Sequence, residues 1–365
     1  MSLKCGIVGL PNVGKSTLFN ALSHSKAVAA NFPFCTIEPN VAMVTVPDAR
    51  LDKLEELVVP QKVIPTVVEI MDIAGLVKGA SKGEGLGNKF LGNIKNTNAI
   101  IHVVRCFEDD NIVHVDGSVN PVRDKEVIDM ELQFKDLDSI EKKISKYEKL
   151  VKANLAEDMR CLEVLKEIKK HLESGLSIRL YPFEEGEERF VEDLNLITLK
   201  PVIYVCNVDE KSVNTGNKYV EALRDAVKND TTEVILISAG IEAEIAALDS
   251  LEDRAAFLED MGLHEPGIHQ LIRACYKILD LITYFTAGVK EVRAWTIIRG
   301  TRAPGAAGEI HTDFEKGFIR AEVIHYEDYV KYGSEAAVKE VGKMSVEGKE
   351  YVVQDGDIIH FRFNV

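Results

Sequence analysis

The chain has no apolar stretch that approaches a membrane span, and it is short of cysteine and of positive charge. The first absence excludes a helical membrane protein. The 365 residues are 46% hydrophobic and 28% charged, which describes an ordinary soluble protein large enough for two or three domains. The N-terminus opens straight into a strand-like run, so neither a secretory leader nor a transit peptide is expected. Six cysteines, Cys5, Cys35, Cys106, Cys161, Cys206 and Cys275, are scattered, several of them inside apolar runs. They read as reduced, buried thiols of a cytoplasmic protein and exclude a zinc site. Basic residues number 44 against 59 acidic ones, for a net charge of −15. That charge opposes general attraction to nucleic acid, so any RNA contact has to use a local basic patch.

Against this plain background one segment stands out. Gly9-Leu10-Pro11-Asn12-Val13-Gly14-Lys15-Ser16 reads G-x-x-x-x-G-K-S, with the apolar run Cys5-Gly6-Ile7-Val8 before it and the helix-like Thr17-Leu18-Phe19-Asn20-Ala21-Leu22 after it. That order of strand, loop and helix is the one a phosphate-binding P-loop needs. Backbone N–H groups from Asn12 to Thr17 cradle phosphate oxygens, Lys15 reaches the β- and γ-phosphates, and the Ser16 hydroxyl is placed to ligate Mg2+. Downstream, the Pro-rich Asn31-Phe32-Pro33-Phe34-Cys35-Thr36 segment offers Thr36 as a switch I hydroxyl for the same ion. The apolar Val67-Val68-Glu69-Ile70-Met71 run then leads into Asp72-Ile73-Ala74-Gly75, a D-x-x-G in which Asp72 holds a metal water and Gly75 approaches the γ-phosphate as switch II.

A second absence follows. Signalling GTPases place a glutamine after that glycine to orient the attacking water, and here the residue is Leu76. Hydrolysis is therefore slow, or water is positioned by another group, a partner or an ion. His114, in a polar loop after the strand Ile100-Ile101-His102-Val103-Val104, is one candidate, and a solvated loop histidine is the equal alternative. Asn12 is the other: it can coordinate a monovalent cation such as K+, or simply tolerate the left-handed backbone of a loop.

A third absence concerns the base. A guanine-specific protein carries N-K-x-D after a strand, with the Asp accepting from guanine N1–H and N2–H2. This chain has Asn207-Val208-Asp209-Glu210 after Pro201-Val202-Ile203-Tyr204-Val205-Cys206. The lysine is gone and the fourth position is a glutamate, one methylene too long. Adenine, with an N6 donor and N7 and N1 acceptors, suits an Asn207 carboxamide and backbone groups around Val208, and ATP is expected over GTP. Ser238-Ala239, after the apolar Val234–Ile237 run, matches the pair that closes over the base edge.

Asp72 and Asn207 are much further apart than a compact P-loop domain requires, so something is inserted. From about Glu131 to Leu172, apolar residues recur at three- and four-residue steps without Gly or Pro, as a helical hairpin or coiled coil does. Its Lys-rich face (Lys142, Lys143, Lys146, Lys149, Lys152) alternates with Glu and reads first as solvated helix surface. Past Leu281 the pattern changes to short strand-like pieces divided by Gly, Pro and Asp, a small β-rich domain. Its cluster of Lys290, Arg293, Arg299 and Arg302 beside Trp295 is either an RNA footprint or a set of exposed strand charges. The expected organisation is an α/β nucleotide-binding domain of mostly parallel sheet flanked by helices over 1–130 and 200–280, a helical insert over 131–199 and the β-rich domain over 281–365.

Taken together, the P-loop, the Asn31–Asn40 stretch, Asp72-Ile73-Ala74-Gly75-Leu76-Val77-Lys78-Gly79-Ala80-Ser81, Asn207-Val208-Asp209-Glu210 and the terminal Asp357–Val365 resemble the YchF or Obg-like ATPase family over essentially the whole chain. The resemblance implies an Obg-type P-loop domain, an inserted coiled coil and a C-terminal TGS domain of β-grasp type. It also implies an ATPase of low intrinsic activity that prefers ATP to GTP, associates with ribosomes and serves translation or stress regulation; the oligomeric state is left open, with a monomer expected. Residue by residue, Asn12, Val13, Gly14, Lys15, Ser16 and Thr17 would line the phosphates, and Ser16, Thr36 and Asp72 would serve Mg2+. Val208 would meet adenine through its backbone, and His114 would occupy the loop of the catalytic histidine. Two other functions fit the residues: a GTPase of ribosome assembly, and a regulatory binding protein in which hydrolysis is incidental.

Overall fold

The computed structural model describes residues 3–24, 40–73, 86–150, 156–230 and 232–364. Thr36, Gly75 and Leu76 lie outside the described residues. In chain order the strands are β1 (Lys4–Val8), β2 (Val41–Thr45), β3 (Val63–Ile64), β4 (Val67–Asp72), β5 (Ala99–Arg105), β6 (Val202–Asn207), β7 (Glu233–Ile237), β8 (Leu281–Ala287), β9 (Val292–Ile298), β10 (Phe318–Ile324), β11 (Ser345–Glu347) and β12 (Ile358–Phe363). Helices α1 (Lys15–His24), α2 (Ala49–Val58), α3 (Leu86–Lys95), α4 (Pro121–Leu150), α5 (Ala156–Glu173), α6 (Lys218–Ala226), α7 (Ala239–Ala247), α8 (Leu251–Asp260) and α9 (Gly267–Ile278) precede the C-terminal strands. The chain divides into two compact units, Met1–Met43 with Glu69–Leu271, and Val44–Val68 with Ile272–Val365.

In the first unit the strand order is β2-β4-β1-β5-β6-β7, and the pairs β1/β4, β1/β5, β5/β6 and β6/β7 are parallel. Burial follows position in the sheet. The interior strands β5 and β6 are buried at every residue, because helices cover both faces of a parallel sheet and leave no polar side. The edge strands β2 and β7 include partly exposed positions. Register sets the site: Asp72 pairs with Ile7 at the end of β1, and Asn207 pairs with Arg105 at the end of β5. The carboxyl ends of these strands therefore share one edge, where open α/β sheets bind ligands.

Helix α4 begins at Pro121, ahead of the periodic stripe, and the proline sits at the first helical position where its missing N–H costs nothing. Helices α4 and α5 pack together around Ile140, Ile144, Cys161, Val164, Leu165, Ile168 and Leu172. On the Lys-rich face Lys142 pairs with Asp138 (2.7 Å) and Lys143 with Asp193, while on α5 Lys169 pairs with Glu141 (2.7 Å); Lys152 lies outside the described residues. The Lys142 pair lies on exposed helix surface, whereas the Lys143 side chain is mostly covered. The return of the chain to the sheet is fixed by Asp136 of α4, fully buried, whose carboxylate accepts from the N–H of Ile197 (2.9 Å) and from the N–H (2.7 Å) and hydroxyl (2.8 Å) of Thr198.

The second unit holds the other sheet, ordered β11-β10-β12-β8-β9-β3, with β12/β8 and β3/β9 parallel and β8/β9, β10/β11 and β10/β12 antiparallel. Its membership departs from the expected start at residue 281. Residues 44–68 contribute β3, through Val63 beside Val292, and α2, whose Leu51 and Leu54 enter the core of Phe285, Val292, Ile324 and Ile358. Three cations of the expected RNA footprint are engaged within this unit: Arg293 lies over the Trp295 ring at 3.8 Å, Arg299 pairs with Asp280, and Arg302 pairs with Glu350.

Candidate functional site

The loop between β1 and α1 is held in shape from behind. Gly14 adopts φ +91°, and an added Cβ there would lie 2.1 Å from the Asn207 Nδ2. Asn207 is buried, donates through Nδ2 to the Val13 carbonyl (2.8 Å) and accepts through Oδ1 from the Ala239 N–H (3.0 Å). It thus joins the P-loop to the start of α7. Ser238 caps that helix through an Oγ that accepts from the Ile241 N–H. Val13, Gly14, Asn207, Ser238 and Ala239, expected separately from the sequence, form one connected group. Both ends of the Asn207 carboxamide are committed inside the fold, so it shapes the site and is not turned towards a base.

At the front of the loop, Lys15 is 8% exposed and forms an ion pair with Asp72 at the end of β4. Ser16 and Thr17 are exposed at the N-terminus of α1, where the helix dipole and free N–H groups favour an anion. The Lys15–Asp72 pair thus lies beside the helix terminus that carries the Ser16 hydroxyl, residue types suited to a phosphate and a hard cation.

The loop after β5 is built on Arg105, a residue to which motif reading assigns nothing. Its guanidinium is buried and donates to the carbonyls of Phe107 (3.1 Å), Asp109 (3.1 Å) and Ile112 (2.9 Å). Asn12 of the P-loop, at φ +62°, donates to the Val113 carbonyl (3.2 Å) and ties that loop to the phosphate edge. The next residue, His114, is bound to α4: Nε2 lies 2.8 Å from the Asp124 Oδ2, and Nδ1 accepts from the Asp116 N–H at 3.1 Å. His114, Asp116 and Asp124 bring ligand atoms within 4.8 Å of one another. Both imidazole nitrogens are already hydrogen-bonded, so the group is a polar cluster rather than a metal centre. Arg105, Asp124 and Asp136 carry no local motif; the one signal was a charged residue inside or beside an apolar run.

Around the base position, Val208 is buried and its N–H donates to the Ile237 carbonyl (2.9 Å). Asp209 turns away to cap the short turn Glu210–Ser212 through the Ser212 N–H, and Glu210 is exposed.

One further carboxyl on α7 has a measurable consequence. Glu242 is buried, accepts from the Gly267 N–H at 2.7 Å, and its Oε2 has no hydrogen-bond partner among the described residues. Burial pushes its pKa up to about 7 despite the N–H groups of Gly267 and Ile268. Because the folded-state value is raised, folding favours the protonated acid. The associated stability is complete below the ordinary carboxylate range and is lost as pH rises through 7, an effect on the order of 3 kcal/mol. Glu242→Gln should therefore gain melting temperature over the parent protein at pH 8 and much less at pH 5. An equal gain at both values would remove this account.

A P-loop whose lysine faces the D-x-x-G aspartate, on the carboxyl edge of a largely parallel sheet, defines a nucleoside triphosphatase domain of the GTPase type, here followed by a separate β-rich unit. The family model described as "50S ribosome-binding GTPase" matches residues 4–154, and the model of the YchF GTPase C-terminal region, described as a protein of unknown function, matches residues 281–364. The chain is 54% identical over 365 residues to the ribosome-binding ATPase YchF of Pasteurella multocida and 53% identical over 367 residues to that of Bacillus subtilis, covering 100% of each chain. The solved structure of the Schizosaccharomyces pombe YchF GTPase superposes with a TM-score of 0.90 at 39% identity, covering 99% of this chain and 98% of that one. A GTP-binding protein from Pyrococcus horikoshii, at 20% identity and TM-score 0.62, shares the fold. The chain belongs to the YchF family.

Proposed function

We propose that this protein is a cytoplasmic, ribosome-associated ATPase that binds Mg-ATP at the carboxyl edge of the first sheet and hydrolyses it slowly. The observation that carries the base preference is the Asn207-Val208-Asp209-Glu210 turn. Asn207 is spent on Val13 and Ala239, Asp209 on Ser212, and the fourth position carries the exposed Glu210, one methylene longer than the aspartate that fits guanine. With the Val208 N–H bonded to Ile237, the Val208 carbonyl is the group that meets an adenine N6 amine. The bacterial relatives carry "ribosome-binding ATPase" in their names, whereas the yeast structure is titled a GTPase, and the turn favours the first.

Within the site, Lys15 holds the β- and γ-phosphates. A phosphate that takes the Lys15 ammonium frees the Asp72 carboxylate; Asp72, through a water, and the Ser16 hydroxyl would then hold Mg2+. Bound Mg2+ would neutralise charge on the transferring phosphoryl group. Asn12, with its Nδ2 engaged by Val113, keeps its Oδ1 for K+. Thr36 and Gly75 complete the switch segments. His114 orients the attacking water in place of the missing glutamine. Ribosomal contacts fall to the helical insert and the β-rich unit, with the nucleotide state setting the switches.

Titration of the full chain with Mg-ATP and with Mg-GTP by calorimetry tests the base preference. ATP should bind at least about tenfold more tightly, a difference of about 1.4 kcal/mol. Tighter GTP binding would replace this reading with that of an assembly GTPase.

A further inference from the structure

The hydrogen bonds of His114 leave its imidazole with no free nitrogen. The Asp116 backbone N–H can only donate, so Nδ1 is unprotonated, and the ring proton sits on Nε2 and points to the Asp124 carboxylate. The His114 and Asp124 side chains are 6% and 3% exposed. Arg123 closes the arrangement from outside: it donates to Asp124 Oδ1 through Nε (3.1 Å) and Nη2 (2.8 Å), to the Ser118 carbonyl (2.7 Å) and to the Ser118 hydroxyl (3.2 Å). The segment from His114 to Ser118 is thus gripped by two consecutive residues at the start of α4. Its other end, at Val113, hangs from Asn12 of the P-loop.

We propose that Asp124 and Arg123 are positioning residues that hold His114 on α4 in an idle orientation, and that its release from Asp124 precedes each hydrolytic turnover. An imidazole held this way has no lone pair to offer an attacking water and has its one N–H committed to a buried carboxylate. It becomes useful to a reaction at the P-loop once the Nε2–Asp124 bond opens. That bond is charge-assisted and shielded from water, which makes it the strongest tie on the ring. Asn12 gives the phosphate edge a direct mechanical connection to the same loop. The proposal rests on the assignment of water orientation to His114 made above, and it accounts for low basal turnover in a chain whose candidate catalytic group is present.

The test uses the full chain with Asp124→Asn, His114→Ala and the double variant, reading single-turnover hydrolysis of saturating Mg-ATP, ATP affinity, and the 15N resonances of the His114 ring. Asparagine keeps the shape of Asp124 and removes its charge, so the hold should weaken by about the strength of one neutral-for-charged exchange. The expected result is a rise in rate of about fivefold, the factor given by about 1 kcal/mol, with ATP affinity unchanged. The rise should be absent on the His114→Ala background. In the parent protein the ring spectrum should show the Nε2–H tautomer; in Asp124→Asn the Asp116 N–H still pins Nδ1 and the tautomer persists, but the Nε2 resonance should shift as its N–H leaves a charged acceptor. A rate that falls or stays level in a variant that still binds ATP normally overturns the proposal, as does an unchanged ring spectrum. A His114→Ala variant that turns over at the parent rate sinks the catalytic assignment of His114 instead; the ring spectrum then decides separately whether Asp124 holds it.

Discussion

Gly14→Ala should abolish nucleotide binding while leaving most of the protein folded. Two costs add. An alanine at φ +91° sits in backbone space that L side chains rarely enter, a strain of about 1–3 kcal/mol. Its methyl carbon would also lie 2.1 Å from the Asn207 amide nitrogen, and Asn207 is not a flexible tip that can swing aside. It is buried and bonded at both ends, so displacing it leaves the Val13 carbonyl and the Ala239 N–H unpaired, at about 1–3 kcal/mol each. The P-loop can avoid the clash by abandoning the curvature that aims its N–H groups at phosphate. Loss of about 4 kcal/mol of organisation corresponds to roughly a thousandfold in affinity. Calorimetry with Mg-ATP, alongside a circular-dichroism spectrum matching the parent, checks it; affinity within threefold of the parent would falsify the argument.

The second large effect is on stability. Asp136→Ala should lower the stability of the first unit by about 3–5 kcal/mol. Burial raises the carboxyl's pKa against the opposing pull of the two backbone N–H groups and the Thr198 hydroxyl, and its oxygens are the acceptors the structure gives the Ile197 and Thr198 N–H groups. Without it two buried N–H groups at the root of β6 are left without acceptors. Asp136→Asn, which retains one acceptor oxygen, should lose less than half as much. Urea titration of all three proteins decides the matter, and a midpoint for Asp136→Ala equal to the parent's would show that the junction is held by packing alone.

Residues whose task is set by neighbours a few positions away were legible in the sequence. Lys15, Ser16 and Asp72 announce themselves because a phosphate cradle needs fixed spacing, and α4 and α5 because a buried stripe must recur with the helix turn. Arg105 and Asp124 were not legible, since a buried charge acquires meaning only from the carbonyls or imidazole that the tertiary fold brings to it. The commitment of Asn207 to the interior was equally hidden: its amide serves Val13 and Ala239, far away in sequence. Helix α4 extends ten residues ahead of the apolar stripe that begins at about Glu131, because its earlier part buries Asp124 as well as apolar positions, which blurs the stripe.

The passage of residues 44–68 into the second unit has a bearing on how the protein can be taken apart. A fragment that begins at residue 281 lacks Leu51, Leu54 and Val63, and so lacks part of its own core and the strand that covers one edge of its sheet. A shortened chain that ends at residue 280 keeps those side chains with nothing to bury them. The C-terminal unit is therefore not a cassette that deletion, fusion or recombination can move as one contiguous block: its coding information is split, and a transplantable version has to carry the early segment along with the late one.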